Sequence, residues 1–154
     1  MPGNDRLIYL IFTAQQHLRT YLKNTLAGEG VRITPAQAGI LFLLDQEQGQ
    51  NMTALSRVLA IDNSTMTGLV NRLEKRGFVR RVSGPSDRRI SRIFITPEGA
   101  AEVDRAKAVI NRVNQEITAG FSQEEARVFK RVLQSFFGKF RNMKPGGLYG
   151  HRTH

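Results

Sequence analysis

The sequence has no cysteine, no tryptophan and few acidic residues. The missing thiols exclude disulfide bridges, cysteine-ligated zinc, thiol redox switches and cysteine nucleophiles. No apolar run approaches the roughly 18 residues that a membrane span requires. The segment MPGNDRLIYLIF lacks a basic stretch ahead of its apolar residues, so no secretion signal is expected there and a cytoplasmic location is expected. Only three histidines occur, and His17 alone precedes the last four residues. No metal site and no cofactor are expected. An enzyme would need a nucleophile with its base, a set of metal ligands or a glycine-rich phosphate loop, and none of these is present, so no catalytic residue is assigned.

What is abundant is positive charge. Against 13 Asp and Glu stand 23 Lys and Arg, a formal net charge of +10 on 154 residues. A small protein this basic usually meets a polyanion. Its length suits one compact domain, or two small lobes sharing a core.

The apolar spacing predicts mostly helix. Leu7, Ile11, Ala14, Leu18, Tyr21, Leu22 and Leu26 mark a helix from Asp5 to Ala27, stopped by GEG at 28–30. A second helix starts at ITPAQAGILFLLDQEQGQ, capped by Thr34 with Pro35 in its first turn, where a missing N–H costs nothing. Its GILFLL run marks it as buried, and Gly49 is expected to end it. NMTALSRVLAID reads as a short helix capped by Thr53, with Leu55, Val58 and Leu59 inward. A further helix follows from Asn63. Then FVRRV and RRISRIFIT, rich in β-branched residues, flank the turn signal SGPSD and predict a hairpin. Thr96 and Pro97 open another helix with Val103, Ala106, Ile110, Val113 and Ile117 as its seam. Ser122 and Glu125 make a capping box for the last helix, whose face carries Ala126, Phe129, Leu133, Phe136, Phe137 and Phe140. The tail MKPGGLYGHRTH shows no pattern.

The helix that opens at Asn63 carries the functional signal. Taken with Asn63 as N-cap, Met66, Leu69, Val70 and Leu73 fall on one face within about 100°. Ser64, Gly68, Asn71 and Lys75 lie opposite, flanked by Thr67 and Arg72. The outward face is thus small and polar at its start and basic toward its end. A recognition helix in the major groove presents its N-terminal residues to base edges, where short hydroxyl and amide side chains bond without holding the backbone away. Arg and Lys further along reach phosphates. The surroundings agree: from Met52 to Thr96 there are nine basic residues against three acidic ones. Arginines at a hairpin tip suit a narrow minor groove with its concentrated negative potential.

Three stretches carry a family resemblance: ITPAQAGILFLL, MTALSRVLAIDNSTMTGLVNRLEKRGFVRR, and Asp87-Arg88-Arg89 followed after a short strand by Thr96-Pro97-Glu98-Gly99. In these the sequence resembles the MarR family of transcriptional regulators, over roughly Leu7 to Arg141. The resemblance implies a mostly α fold with a small β-hairpin wing: a winged helix-turn-helix lobe at 34–96, a dimerisation region at 1–33 and 97–142, and a tail at 143–154. It implies a homodimer on a palindromic double-stranded DNA operator, acting as a repressor. It places Ser64, Thr65, Thr67 and Arg72 at DNA from a recognition helix spanning Asn63 to Arg76, and Arg89 from the wing tip with Asp87 orienting it; the helix-face and hairpin reading adds Asn63, Asn71, Lys75 and Arg88 as DNA-binding candidates. Gly68 departs from the family, where a longer side chain is frequent, and glycine permits a closer backbone approach. Release by a small phenolic or anionic effector between the dimer helices and the winged lobe is the family habit, and His17 is the candidate ligand residue. The alternative is an RNA-binding or architectural nucleic-acid-binding protein without a ligand response. Such a reader would display stacking aromatics, and only Phe78 and Phe94 lie in the basic segment.

Overall fold

Thr34 accepts a hydrogen bond from the Gln37 N–H and the Gln37 side chain accepts one from the Thr34 N–H, a complete capping box ahead of Pro35. Local signals of this kind set most of the element boundaries in the computed structural model, which describes residues 6–84 and 90–141. The element order is α1 (Leu7–Gly28), α2 (Pro35–Gln46), β1 (Gln50–Asn51), α3 (Met52–Leu59), α4 (Asn63–Lys75), β2 (Val79–Ser83), β3 (Ser91–Ile95), α5 (Pro97–Thr118) and α6 (Gln123–Lys139). The predominantly helical chain with a small β wing is as the sequence predicts.

Several details differ. α2 ends at Gln46, three residues short of Gly49. Gly49 instead takes a positive φ of 75° and donates its N–H to Ile93, leading the chain into β1. α3 is capped by Asn51, whose side chain accepts from the Ala54 N–H, and not by Thr53. Val58 points outward, 62% exposed, while Leu55 is buried; an eight-residue helix buries a narrow stripe, and Val58 falls outside it. α4 is capped by Asp62, one residue before the expected Asn63. At α6 only the Ser122 half of the expected capping box forms.

The sheet has order β1-β3-β2, all antiparallel. The β2–β3 hairpin matches the expectation, and the two-residue β1 on its outer side adds to it. Gln50 pairs with Ile93 and Asn51 with Arg92, and the Gln48 side chain accepts the Ile95 N–H.

The chain forms two compact units, Met1–Val113 and Asn114–His154. The core of the first is built from Ile40, Leu41, Leu44, Leu55, Met66, Val70, Leu73, Phe78, Ile93, Val103 and Ala106, all buried. α4 contributes the face that its spacing predicts: Met66, Leu69, Val70 and Leu73 are its buried residues. The start of α5 is pressed against Phe78. The Thr96 N–H bonds to the Phe78 carbonyl at 3.0 Å, the Thr96 hydroxyl bonds to the Gly77 carbonyl at 2.6 Å, and a Cβ on Gly99 would overlap the Phe78 carbonyl oxygen. Glycine is therefore required by close approach. Lys107 holds α5 to α2 through Asp45 at 3.1 Å, and that carboxylate, aided by Asp104, raises the Lys107 pKa.

The second unit is open. α6 has no buried residue, and Phe121, Phe129, Leu133, Phe137 and Phe140 are all exposed. Phe136 and Phe140 meet edge to face at 5.5 Å. Ile117, Phe121, Ala126 and Phe129, with Thr118 and Glu125, line a cavity of about 340 Å³ in this unit. Among the described residues no helix is long and apolar enough to cross a membrane.

Candidate nucleic-acid interface

The turn from α3 to α4 places Ala60 in the left-handed region, φ 53°, and returns the Ile61 N–H to the Ser56 carbonyl. This tight turn sets α4 across α3. Asp62 then organises the first turn of α4. Its carboxylate accepts the Thr65 N–H at 2.8 Å, the Ser64 hydroxyl at 2.7 Å and the Thr65 hydroxyl at 2.8 Å. These bonds, the Thr65 N–H foremost, hold its pKa at about 2, below the usual 3.8. The Thr67 hydroxyl donates to the Asn63 carbonyl. Three hydroxyls are thus held in place at the exposed start of the helix.

Every α4 residue singled out from the sequence lies on the solvent side: Asn63, Ser64, Thr65, Thr67, Asn71, Arg72 and Lys75 are exposed. Among the described residues Arg72 and Lys75 make no ion pair, so their charge is free for an outside anion. Asn71 is not free in the same way. The Arg81 guanidinium donates to its Oδ1 and lies 3.6 Å from Glu74, tying β2 to the outer face of α4. Nothing in the sequence marks out Arg81, because its partners lie on a different element. The Arg80 guanidinium sits over the Phe94 ring at 4.8 Å. Phe78 is buried, and one face of the half-buried Phe94 is taken by Arg80.

Asp87, Arg88 and Arg89 lie outside the described residues, and so does the tail from 142 onward. The strands that carry the wing turn are in place, from Val79 with Ile95 to Ser83 with Ser91. His17 is exposed on α1, and among the described residues it makes no hydrogen bond or ion pair. Among the described residues no group of His, Asp and Glu is arranged to hold a metal.

The sequence model of the MarR family matches residues 33–91. A Thauera aromatica protein assigned as a transcriptional regulatory protein for the hcr operon is 30% identical over 119 residues, which cover 77% of this chain and 70% of that one. This chain belongs to the MarR family. Solved structures agree with that placement. The repressor CouR of Rhodococcus jostii RHA1, bound to a 23-mer DNA duplex, is 28% identical with a TM-score of 0.78, covering 86% of this chain and 93% of CouR. PcaV of Streptomyces coelicolor, in complex with its natural ligand, is 28% identical with a TM-score of 0.78, covering 88% and 94%. The MarR-family chain is therefore a DNA-binding transcriptional regulator of winged-helix fold, and not an enzyme.

Proposed function

We propose that the chain is a homodimeric repressor that reads a palindromic operator in double-stranded DNA and is released by a small aromatic or anionic effector. The outward face of α4 carries this reading. Its hydroxyl and amide end suits base edges, and its unpaired Arg72 and Lys75 suit phosphates. Asn63, Ser64, Thr65, Thr67 and Asn71 face the major groove in this reading, with Asp62 holding the first turn rigid. Arg88 and Arg89 act from the wing, Arg89 in the minor groove with Asp87 orienting it.

The lobe at 34–96 binds DNA, and the segments 1–33 and 97–142 dimerise. Support for pairing comes from large apolar side chains left in water: Ile8, Tyr9 and Phe12 on α1, Phe129 and Phe137 on α6, and Phe140 at its C-cap. Each is worth about 1.5–3 kcal/mol when covered, and an identical subunit supplies a matching surface by two-fold symmetry. CouR bound to a 23-mer DNA duplex is the precedent for a double-stranded DNA partner. PcaV with its natural ligand and CouR with p-coumaroyl-CoA are the precedents for an effector. His17 is the candidate ligand residue.

Selection of bound sites from random duplex DNA, followed by footprinting, tests the proposal. The expected result is a two-fold symmetric site with half-sites about 10 base pairs apart, bound by a dimer in sedimentation. A single asymmetric half-site, or a monomer at micromolar concentration, would refute it. A reporter behind that site should be silent with the protein and active without it.

A further inference from the structure

Glu102 is a carboxylate with no exposed surface, in the first turns of α5, where a polar residue facing solvent would be ordinary. Its Oε1 accepts the backbone N–H of Arg32 at 2.5 Å, across 70 residues of chain. Its Oε2 lies 3.0 Å from the Arg105 guanidinium and 3.9 Å from that of Arg32, yet accepts no aligned hydrogen bond. The other side of the same residue is also taken. The Arg32 carbonyl accepts from the guanidinium of Arg76, the C-cap of α4. The Arg32 side chain covers the Phe78 ring at 5.1 Å, just past the end of that helix, and Val31 and Ile33 are buried on either side. One residue of the α1–α2 connection is thus held by α5 through its N–H and holds α4 through its carbonyl.

We infer that Glu102 is a positioning residue for DNA reading: through Arg32 and Arg76 it fixes the C-terminal end of the recognition helix against α5. The inference rests on the reading of α4 as that helix. A helix of 13 residues is about 20 Å long, so freedom at one end becomes displacement at the other. Base contacts tolerate little of it, because hydrogen bonds require donor and acceptor within about 2.7–3.2 Å. Phosphate contacts by flexible Arg and Lys tolerate much more. Releasing the anchor therefore costs selectivity before it costs general affinity.

The experiment compares binding to the site selected by the wild-type protein with binding to random duplex of equal length, for Glu102→Leu, Glu102→Gln and Arg76→Met, with thermal melts to establish folding. The expected result is a roughly tenfold fall in the ratio of operator to random affinity for Glu102→Leu and for Arg76→Met, equivalent to about one base contact. Glu102→Gln keeps an oxygen for the Arg32 N–H and should keep most of the ratio. An unchanged ratio in a folded Glu102→Leu or Arg76→Met protein overturns the inference. So does a fall in Glu102→Gln as large as in Glu102→Leu, which would assign the effect to the charge facing Arg105. If Glu102→Leu does not fold, Arg76→Met decides alone: a direct phosphate contact by Arg76 would lower both affinities together and leave the ratio unchanged. A wild-type protein that selects no site at all overturns the regulator reading itself, an outcome distinct from the others.

Discussion

Replacing Gly68 by alanine should stabilise the fold and weaken operator binding at the same time. Gly68 lies inside α4 with no unusual backbone angle. A Cβ built there meets only the Arg72 Nη2, at 3.8 Å, an ordinary approach to the end of a flexible side chain. The space is open, so nothing opposes the gain from removing glycine's excess freedom, about 0.8–1.0 kcal/mol at a helix interior. For a chain of this size such a gain raises Tm by roughly 2–4 °C. The effect on DNA has the opposite sign. Ser64, Asn71 and Arg72 stand three or four residues from Gly68, on the same side of the helix. If α4 reads the major groove as proposed, a methyl group amid that side would hold the backbone off the groove floor and stretch its neighbours' hydrogen bonds to the bases. Each base pairing broken in this way would weaken operator binding by about 1–3 kcal/mol. Urea denaturation and anisotropy titrations on operator and random duplex measure the two effects. A destabilised Gly68→Ala protein would refute the packing argument. A stabilised one with unchanged operator affinity would place Gly68 away from the groove.

Gly99→Ala should destabilise by about 1–3 kcal/mol, since a Cβ would overlap the Phe78 carbonyl; a urea midpoint equal to that of the unaltered protein would refute this. The low pKa of Asp62, about 2, means that its cap stabilises fully above the unfolded value near 4 and is lost as pH falls toward 2. Melts from pH 5 to pH 2 should therefore show an acid limb that Asp62→Asn flattens, and an Asp62 carboxyl titrating near 3.8 by NMR would contradict it. Thr67→Ala should weaken operator binding more than random binding, whereas Arg72→Ala should weaken both and lower the salt slope by about one; equal weakening of both DNAs by Thr67→Ala would remove its reading role. Asp87→Ala should weaken operator binding if Asp87 orients Arg89, and tighter binding by a protein that melts normally would show that it only tempers charge.

The parts of the fold legible from the sequence are those specified within one turn of helix. Thr34-Pro35 and the Met66, Leu69, Val70 and Leu73 stripe need no distant partner to be recognised. The cap of α4 is ambiguous by one residue because Asp62 and Asn63 are both good caps, and the choice falls to the side chain that can also receive the Ser64 and Thr65 hydroxyls. β1 is invisible because two residues are too few for alternation, and its pairing is with residues some forty positions away. The outer face of α4 can be assigned residue by residue, yet its support cannot. Glu102, in EVDRAK, reads as a solvated helix residue until Arg32 is brought to it. Arg81 reads as one more basic residue until Asn71 and Glu74 receive it.

β3 is the middle strand of its sheet, paired with β2 on one edge and β1 on the other. Its register therefore does not depend on the turn that joins it to β2. Gln50, Asn51 and the Gln48 side chain fix Ile93, Arg92 and Ile95 from the far side, next to the cap of α3. A hairpin held only by its own turn would slip when that turn is rebuilt. Here β3 has a second set of partners, on β1, that a change in the turn leaves untouched. β3 is in this sense a hinge-pin rather than a flap: the strand that leads out of the wing is bolted to the helix-turn-helix side of the lobe by its own separate fastening.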